Sequence, residues 1–253
     1  MKNPLQLEGK TILVTGASSG IGRATAILLS ELGARVALVA RNEDKLRETL
    51  SSMQGGPHWV EPSDLGELER IPAWFSALHG KTGPLDGFVH CAGIFSLMPL
   101  RLVTTQHLEA MMRVNFYAAV SLCKEFSRRG THRPGSSVVF VASVAGLLGV
   151  TARAAYSASK GALIAFARSA AIELAKQQIR VNCVAPAFVQ TEMYDETAKA
   201  FTPERLQALI DSTQPLGLGA PLDVAHAISF LLADTGRWIT GSVLAVDGGY
   251  SAQ

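Results

Sequence analysis

Short apolar runs rich in β-branched residues alternate with longer segments of helical pattern along almost the whole chain. This alternation predicts a parallel sheet covered by helices, because neighbouring parallel strands have to be joined by crossover connections. The run at 138–141 is apolar at every position, which is typical of a strand buried on both faces. The predicted strands are residues 11–15, 35–40, 58–61, 87–91, 137–142, 180–185 and 243–246. The predicted helices are residues 21–32, 43–53, 65–78, 105–128, 155–176 and 222–232.

The composition fits one large domain. Of the 253 residues, 48% are hydrophobic and 17% are charged, so a large core can be buried. Neither a repeat nor a low-complexity linker interrupts the alternation, so residues 1–253 are predicted to form a single α/β domain. We expect a doubly wound, Rossmann-like sheet of seven parallel strands with helices on both faces. The region near 187–215 is long for a connection, and it predicts a loop over a substrate site. The alternative is a solvent-exposed insertion with a short helix near 203–211.

Charge, hydropathy and cysteine usage exclude several classes of protein. The net charge of +2 argues against a nucleic-acid partner, since such proteins usually have a strongly basic face. No apolar run is long enough to span a bilayer, and the first residues lack the apolar run of a signal peptide. The three cysteines are widely spaced, and the six histidines form no pair with zinc-ligand spacing. We therefore expect a cytoplasmic protein with no metal site, no membrane partner and no nucleic-acid partner.

Gly16, Gly20 and Gly22 lie between the first predicted strand and the first predicted helix. Glycines allow positive φ and let a ligand approach the backbone more closely than side chains would permit. The free N–H groups and the positive dipole end of the following helix suit a pyrophosphate. The spacing differs from the common GxGxxG fingerprint, so it is the position between strand and helix that indicates a dinucleotide site.

Tyr156 and Lys160 lie one helical turn apart on the same face of a predicted helix. A free phenol has a pKa of ~10, and a neighbouring ammonium favours the phenolate and lowers that pKa. Tyr156 is therefore predicted to donate a proton to a carbonyl oxygen in reduction and to accept one in oxidation. Ser143, at the end of the fifth predicted strand, is predicted to hydrogen-bond the same oxygen and to stabilise its developing charge.

Together with Asn115, these residues match the Asn-Ser-Tyr-Lys set of the short-chain dehydrogenase/reductase family, which the chain resembles over nearly its whole length. The stretch from Thr15 to Gly22 matches the TGxxxGxG turn of that family's single-domain branch, which includes the β-ketoacyl carrier-protein reductases. The resemblance implies that Lys160 binds the nicotinamide ribose. It also implies that Asn115 holds a water that links Lys160 to solvent.

The resemblance further implies the residues that bind the dinucleotide. Asp64 matches the family's adenine-contacting aspartate, and Thr191 matches the residue that contacts the nicotinamide carboxamide. His90 and Cys91 replace the two asparagines of the family's NNAG stretch, whereas its last two residues are kept. The full predicted set is Gly16, Ser18, Ser19, Gly20, Ile21, Gly22, Arg41, Asp64, Leu65, Ala92, Gly93, Tyr156, Lys160, Pro186, Val189 and Thr191.

Arg41 bears on the choice of cofactor, because it follows Ala40 at the end of the second predicted strand. An acidic residue there would hydrogen-bond the ribose 2′-hydroxyl and repel a 2′-phosphate, whereas an arginine can hold that phosphate. Ser19 counts against this interpretation, since its position is often basic in NADP-preferring relatives. We expect NADP(H) as the cofactor, with NAD(H) as the alternative.

The substrate is expected to be a mainly apolar ketone or 3-oxo compound. Apolar side chains follow the predicted strand ends or lie in the 187–215 region, where doubly wound sheets place ligands. Arg153, three residues before Tyr156, is expected to face solvent, the alternative being contact with an anionic group. The predicted substrate-contacting residues are Ser143, Phe95, Leu147, Leu148, Phe188, Met193 and Tyr194.

These features predict an NADP-dependent enzyme that reduces a ketone or 3-oxo substrate to a secondary alcohol. The alternatives are an NAD-dependent alcohol, polyol or hydroxysteroid dehydrogenase, and a dinucleotide-binding regulatory protein without catalysis. A carrier-protein thioester is the second choice of substrate, with Arg128, Arg129 and Arg133 facing the acidic carrier. The resemblance implies a homotetramer in which the predicted helices at 105–128 and 155–176 pack against a partner subunit.

Overall fold

The computed structural model describes residues 3–252. Across these residues, seven parallel strands form one sheet in the order β3-β2-β1-β4-β5-β6-β7. The strands are β1 (Thr11–Thr15), β2 (Arg35–Ala40), β3 (Trp59–Pro62), β4 (Leu85–His90), β5 (His132–Val141), β6 (Arg180–Pro186) and β7 (Val243–Val246). The predicted doubly wound sheet is confirmed.

Helices cover both faces of this sheet. They are α1 (Gly20–Glu31), α2 (Glu43–Ser51), α3 (Ile71–Thr82), α4 (Thr105–Met112), α5 (Ala118–Phe126), α6 (Ala154–Leu174), α7 (Glu192–Ala198), α8 (Pro203–Thr213) and α9 (Pro221–Leu232). One buried apolar cluster joins the sheet to α1, α2 and α9, and another joins its opposite face to α3, α5 and α6. Among residues 3–252, no helix is both long enough and apolar enough to cross a membrane.

Alternate side chains of the central strands enter the two clusters. In β1, Leu13 belongs to the cluster with α3, α5 and α6, whereas Ile12 and Val14 belong to the cluster with α1, α2 and α9. Every residue of β1 is buried. The continuous apolar runs in the sequence are therefore strands covered by helices on both faces, as expected for a parallel sheet.

The fifth strand is longer than predicted. Residues 133–135 contain proline and glycine, which usually mark a turn, yet β5 begins at His132. Leu85 pairs with His132, and the register then shifts before Gly87 pairs with Ser137. This irregularity accommodates a proline that cannot donate to the ladder of hydrogen bonds. The remaining strands begin and end within two residues of the predicted positions.

The helix predicted from Leu65 begins later in the structure. Leu65 is buried but not helical, a 3-10 turn follows at Leu68–Arg70, and α3 starts at Ile71. Pro72 explains the difference, because proline lacks the N–H that a helix interior requires and is tolerated in the first turn.

The helix predicted over 105–128 contains a wider turn. After α4, the residues Arg113–Tyr117 form a π-helical turn, and α5 continues from there. Such turns redirect side chains and are frequent at functional sites. Here the turn contains Asn115, whose side chain is fully buried.

Residues 187–215 hold more helix than predicted. α8 is the helix that the alternative interpretation placed near 203–211, and α7 is an additional helix of seven residues. Thr191 caps α7, since its Oγ1 accepts a hydrogen bond from the N–H of Tyr194. Phe188, Leu206 and Ile210 form a small apolar cluster, so this region packs on itself as a helical cover and is not an open loop.

β1 and β4 are neighbours in the sheet although β1 connects to β2 on its other side. At such a switch point the connections that follow two adjacent strands diverge and leave a crevice at the carboxyl ends of the strands. The glycine turn after β1 and residues 91–93 after β4 both line this crevice.

Candidate active site

The turn between β1 and α1 brings glycine backbones against neighbouring chain segments. Gly16 has a φ of +66°, and a Cβ atom there would lie 2.8 Å from the backbone nitrogen of Ala92. A Cβ atom on Gly22 would overlap the carbonyl oxygen of Gly16 and lie 2.6 Å from its carbonyl carbon. Glycine is therefore required at both positions, and the turn folds closely beneath the N-terminus of α1.

A cleft above this turn brings together most of the predicted site residues. Its walls come from the glycine turn, the segment after β4, the end of β5, the start of α6, the end of β6 and α7. The predicted residues that line it are Gly16, Ser19, Gly20, Ile21, Gly22, Ala92, Gly93, Phe95, Ser143, Tyr156, Lys160, Pro186, Phe188, Val189, Thr191, Met193 and Tyr194.

The remaining predicted residues lie outside the walls of this cleft. Arg41 and Asp64 are exposed at the carboxyl ends of β2 and β3, and Asp64 Oδ1 accepts the N–H of Gly66 at 2.8 Å. Leu65 is buried, and Leu147 is 40% exposed. The predicted residues that do not line the cleft are Ser18, Arg41, Asp64, Leu65, Asn115, Leu147 and Leu148.

The cleft has the features that a dinucleotide requires. Ser19 precedes α1, and within the described chain its side chain makes no capping hydrogen bond, so the hydroxyl and the first N–H groups of α1 are available to an anion. A Cβ atom on Gly93 would lie 3.2 Å from Asn115 Oδ1 and 3.5 Å from Lys160 Nζ. Glycine at this position therefore keeps the approach to Lys160 open.

Ser143 follows β5 at the base of the cleft. Its Oγ accepts the N–H of Ala145 at 3.2 Å and donates to the carbonyl oxygen of Pro186 at 3.5 Å. The long second bond indicates that the hydroxyl proton is only weakly held. Ser143 can therefore turn this proton toward a substrate oxygen.

Tyr156 and Lys160 lie in the first two turns of α6 and are both buried. The Tyr156 ring meets Phe95 edge to face, with 5.0 Å between the ring centres. Lys160 Nζ lies 5.8 Å from the centre of the Tyr156 ring and donates to the carbonyl oxygen of Val141 at 2.8 Å. The two groups are close enough for the ammonium to influence the phenol electrostatically.

The predicted lowering of the Tyr156 pKa by Lys160 is wrong for the protein as it stands in this structure. Burial raises the pKa of Tyr156, and hydrogen bonding by Ser143 and the positive charge of Arg153 only oppose that rise. Burial disfavours the charged form of any group, and here its effect exceeds the opposing effects of Ser143 and Arg153. Tyr156 is consequently a neutral phenol at physiological pH, which is the form that can donate a proton.

Burial also lowers the pKa of Lys160, to about 8. An unfolded lysine titrates near ~10.4, so between these two values the unfolded state binds more protons and folding stability rises with pH. We expect the free energy of unfolding of the wild type, minus that of Lys160→Met, to increase by on the order of 1–2 kcal/mol from about pH 7.5 to about pH 9.5. Urea unfolding at both pH values measures it. A constant or decreasing difference would contradict a buried, destabilised ammonium.

The Asn115 side chain is held by hydrogen bonds from both of its polar atoms. Its Oδ1 accepts the N–H of Ile94 at 2.7 Å, and its Nδ2 donates to the carbonyl oxygen of Ile94 and to Ser159 Oγ, each at 3.0 Å. These bonds tie the π-helical turn to the segment after β4 and to α6. Asn115 thus fixes the position of the helix that carries Tyr156 and Lys160.

His90, which replaces an asparagine of the family pattern, joins β4 to β1. Thr15 Oγ1 accepts the N–H of Ala92 at 3.1 Å and lies 3.1 Å from His90 Nδ1. Burial lowers the pKa of His90 to about 3, so the ring is neutral and Nδ1 can accept the Thr15 proton. Burial likewise raises the pKa of Cys91 to about 12, which keeps it a thiol.

Two charged residues of the cleft were not assigned to it from the sequence. Arg153, expected to face solvent, lines the cleft immediately before α6, which corrects that expectation. Glu192 lines it at the start of α7. No motif marks Glu192, and its position depends on a short helix that the sequence pattern does not reveal.

Among the side chains that the structure describes, no group of histidine, cysteine and acidic residues could hold a metal ion.

The chain is similar to known oxidoreductases over nearly its whole length. Residues 16–251 match the family model described as enoyl-(acyl carrier protein) reductase. The 3-oxoacyl-(acyl-carrier-protein) reductase of Homo sapiens is 37% identical over 241 residues, covering 95% of this chain and 97% of the relative. A short-chain type dehydrogenase/reductase from Mycobacterium ulcerans has a TM-score of 0.90 and 30% identity, covering 98% of this chain and 92% of that one. A structure from Beutenbergia cavernae, named as an NAD(P)-dependent gluconate 5-dehydrogenase with bound NADP at low occupancy, has a TM-score of 0.88 and 31% identity. The match covers 99% of this chain and 100% of that one.

Proposed function

The chain belongs to the short-chain dehydrogenase/reductase family, and we propose that it is an NADP-dependent enzyme that reduces a ketone or 3-oxo substrate to a secondary alcohol. The observation that carries this proposal is the meeting of Ser143, Tyr156 and Lys160 at the base of one cleft. A turn suited to a dinucleotide borders the same cleft, so a hydride donor and a proton donor can reach one carbonyl group.

Each of the clustered side chains has a distinct role in this proposal. The nicotinamide of the cofactor supplies the hydride that reaches the carbonyl carbon. Ser143 donates a hydrogen bond to the carbonyl oxygen, and Tyr156 transfers its phenolic proton to that oxygen as negative charge develops there. The ammonium of Lys160 stabilises the phenolate that remains. Asn115 positions α6 and holds the water through which the proton is replaced.

The walls of the cleft support an apolar substrate body. Phe95, Phe188, Met193 and Tyr194 line the space beside the predicted proton donor. A free sugar fits such walls poorly, because its hydroxyls would lose water without gaining partners. The human relative is named as a 3-oxoacyl reductase, which supports a 3-oxo group as the reacting part. The convergence of two hydroxyl donors favours reduction of a carbonyl over the enoyl reduction named in the family description, which adds hydrogen across a carbon–carbon bond.

The test of this function is oxidation of NADPH with a panel of acceptors. The panel contains a 3-oxoacyl thioester, a small aromatic ketone, a keto-sugar and an enoyl thioester. We expect the highest kcat/KM for the 3-oxo compound or the aromatic ketone. A clear preference for the keto-sugar or the enoyl thioester would contradict the proposed substrate class. NADPH binding without turnover of any acceptor would favour a dinucleotide-binding regulatory protein.

The cofactor preference is expected to depend on the end of β2. We expect NADPH to be preferred over NADH in the wild type, because Arg41 can hold a 2′-phosphate. Ala40→Asp should shift the ratio of kcat/KM values toward NADH by about 10- to 100-fold, since a carboxylate pairs with the ribose hydroxyls and repels the phosphate. Steady-state kinetics with both cofactors measures the ratio. Arg41→Met is the control, which should weaken NADPH alone. Equal kcat/KM for the two cofactors in the wild type would contradict the proposal.

We also infer a homotetramer. Leu108 of α4, Tyr117 of the π-helical turn and Ile172 of α6 leave large apolar side chains 39%, 44% and 76% exposed, and a partner subunit could cover them. They lie on the segments that the family resemblance assigns to subunit contacts. Light scattering should report a tetramer at micromolar concentration, and a monomer there would contradict the inference.

A further inference from the structure

We propose that Arg153 binds a carboxylate of the substrate, so that the preferred substrate is a free oxo acid with an apolar body. This inference rests on the function proposed above and narrows its substrate class. A thioester carries no carboxylate at its acyl end, so the inference favours a free acid over a carrier-bound acyl group.

The position of the guanidinium is fixed by two aromatic rings. The Cζ atom of Arg153 lies over the ring of Phe95 at 5.1 Å and over the ring of Phe188 at 5.0 Å. Both rings line the cleft, and Phe95 is in edge-to-face contact with Tyr156. The guanidinium is therefore held in the cleft wall, one aromatic ring away from the proton donor.

The charge of Arg153 has no acidic partner in the described part of the chain. Its Nε atom is buried without a hydrogen-bond partner, and no ion pair involves this side chain within residues 3–252. Arg113 and Arg128, by contrast, are paired with Glu69 and Glu125. A desolvated guanidinium is normally paired, because a cation–π contact compensates for only part of the lost hydration.

Neighbouring groups do not supply the missing anion. Burial lowers the pKa of Arg153, and the side chains that oppose this shift, Tyr156 and Tyr250, carry phenols and no carboxylate. Glu192 is the acidic residue of the cleft, but its carboxylate lies by the glycine turn, where Oε2 is 3.5 Å from the position of a Cβ atom on Gly20. The guanidinium thus remains available to an anion that enters from solvent.

A carboxylate matches this guanidinium in charge and geometry. The planar guanidinium can form two parallel charge-assisted hydrogen bonds with a carboxylate, and the flanking rings keep its fork in one orientation. With the carboxylate on Arg153, the apolar body of the substrate would lie against Phe95 and Phe188. Its carbonyl group would then reach Ser143 and Tyr156.

The experiment compares acids with their neutral counterparts. A series of straight-chain oxo acids of increasing distance between carbonyl and carboxylate is assayed with NADPH, each beside its methyl ester. Arg153→Met removes the charge but keeps an unbranched apolar stem between the two rings. We expect Arg153→Met to lower kcat/KM for the best acid by about 10- to 100-fold and that of its ester by less than about threefold. Arg153→Lys should recover part of the preference for the acid.

The matched control is Arg237→Met, which removes an exposed arginine at the opposite end of the strands. Arg237 follows Gly236, whose carbonyl accepts a hydrogen bond from Arg180 at the start of β6. We expect this variant to keep the wild-type ratio of kcat/KM for the acid to kcat/KM for the ester. A parallel fall for acid and ester in Arg153→Met would show that Arg153 only supports the aromatic wall, and an ester preference in the wild type would overturn the anion site.

A binding measurement separates this inference from the proposed reaction. Saturated carboxylates of the same chain lengths are titrated into the NADPH complex by calorimetry. If the wild type binds these carboxylates and Arg153→Met does not, the anion site is supported. If no ketone is reduced in that case, only the proposed function is rejected. Reduction of neutral ketones without charge-dependent binding leaves the proposed function intact and rejects the anion site.

Discussion

Replacing Tyr156 by phenylalanine is expected to lower kcat for ketone reduction by about 10²–10⁴-fold, because only the transferable proton is lost. The ring itself is retained, so its edge-to-face contact with Phe95 and its contact with Lys160 can persist. We therefore expect the Kd for NADPH to change by less than about threefold. Stopped-flow or steady-state kinetics measures kcat, and quenching of protein fluorescence measures the Kd.

The matched control for this variant is Tyr117→Phe. Tyr117 is 44% exposed on the π-helical turn, and the substitution removes the same hydroxyl group outside the cleft. We expect kcat to stay within about twofold of the wild type. A near-normal kcat in Tyr156→Phe would show that another group protonates the substrate oxygen. Loss of NADPH binding together with kcat would show that the hydroxyl has a role in holding the cofactor.

The order and type of most elements could be predicted because they depend on local pattern. A run of β-branched and apolar residues indicates a strand, and β1, β2 and β7 begin and end at the predicted residues. Where β5 differs from its prediction, the cause is a contact between distant parts of the chain. Leu85 and His132 pair across a register shift, which keeps a proline and a glycine within β5. No local pattern in either strand encodes that pairing.

The meeting of Ser143, Tyr156 and Lys160 in one cleft could be predicted because these residues lie in fixed relation to elements that the sequence reveals. Ser143 follows a strand, and Tyr156 and Lys160 share one helix face, so all three reach the same end of the sheet. The pKa of Tyr156 could not be predicted from those positions. Spacing shows that Lys160 is near, but only the packed structure shows that burial raises the pKa of Tyr156 against the effects of Ser143 and Arg153.

Arg153 shows the same limit for the substrate wall. A charged residue just before a helix usually faces solvent, and the sequence gives no sign of the two rings that draw its guanidinium into the cleft. Phe95 and Phe188 are distant in sequence and meet Arg153 only because β4 and β6 end at the same edge of the sheet. The residues that meet in this wall therefore depend on how the strands are arranged, whereas the spacing of Tyr156 and Lys160 depends on a single helix.

Replacing Gly22 by alanine is expected to remove cofactor binding and to destabilise the fold. Its Cβ atom would overlap the carbonyl oxygen of Gly16, and backbone atoms cannot move aside as the end of a flexible side chain can. Gly16 is itself confined, because a Cβ atom there would lie 2.8 Å from the nitrogen of Ala92. The clash therefore has to separate α1 from the turn. We expect the free energy of unfolding to fall by about 3 kcal/mol and the Kd for NADPH to rise more than ~100-fold.

Gly80→Ala is the matched control, since it makes the same change in another helix. A Cβ atom on Gly80, which is exposed on α3, would have no heavy atom within 4 Å. Alanine is the better helix former, so this variant should gain about 0.5–1 kcal/mol in urea unfolding and bind NADPH like the wild type. A loss of stability in Gly22→Ala together with a gain in Gly80→Ala would show that the Gly22 effect comes from the close approach of the Gly16 backbone. Wild-type NADPH affinity in Gly22→Ala would contradict that explanation, because the pyrophosphate can reach the α1 N–H groups only if the turn keeps its shape.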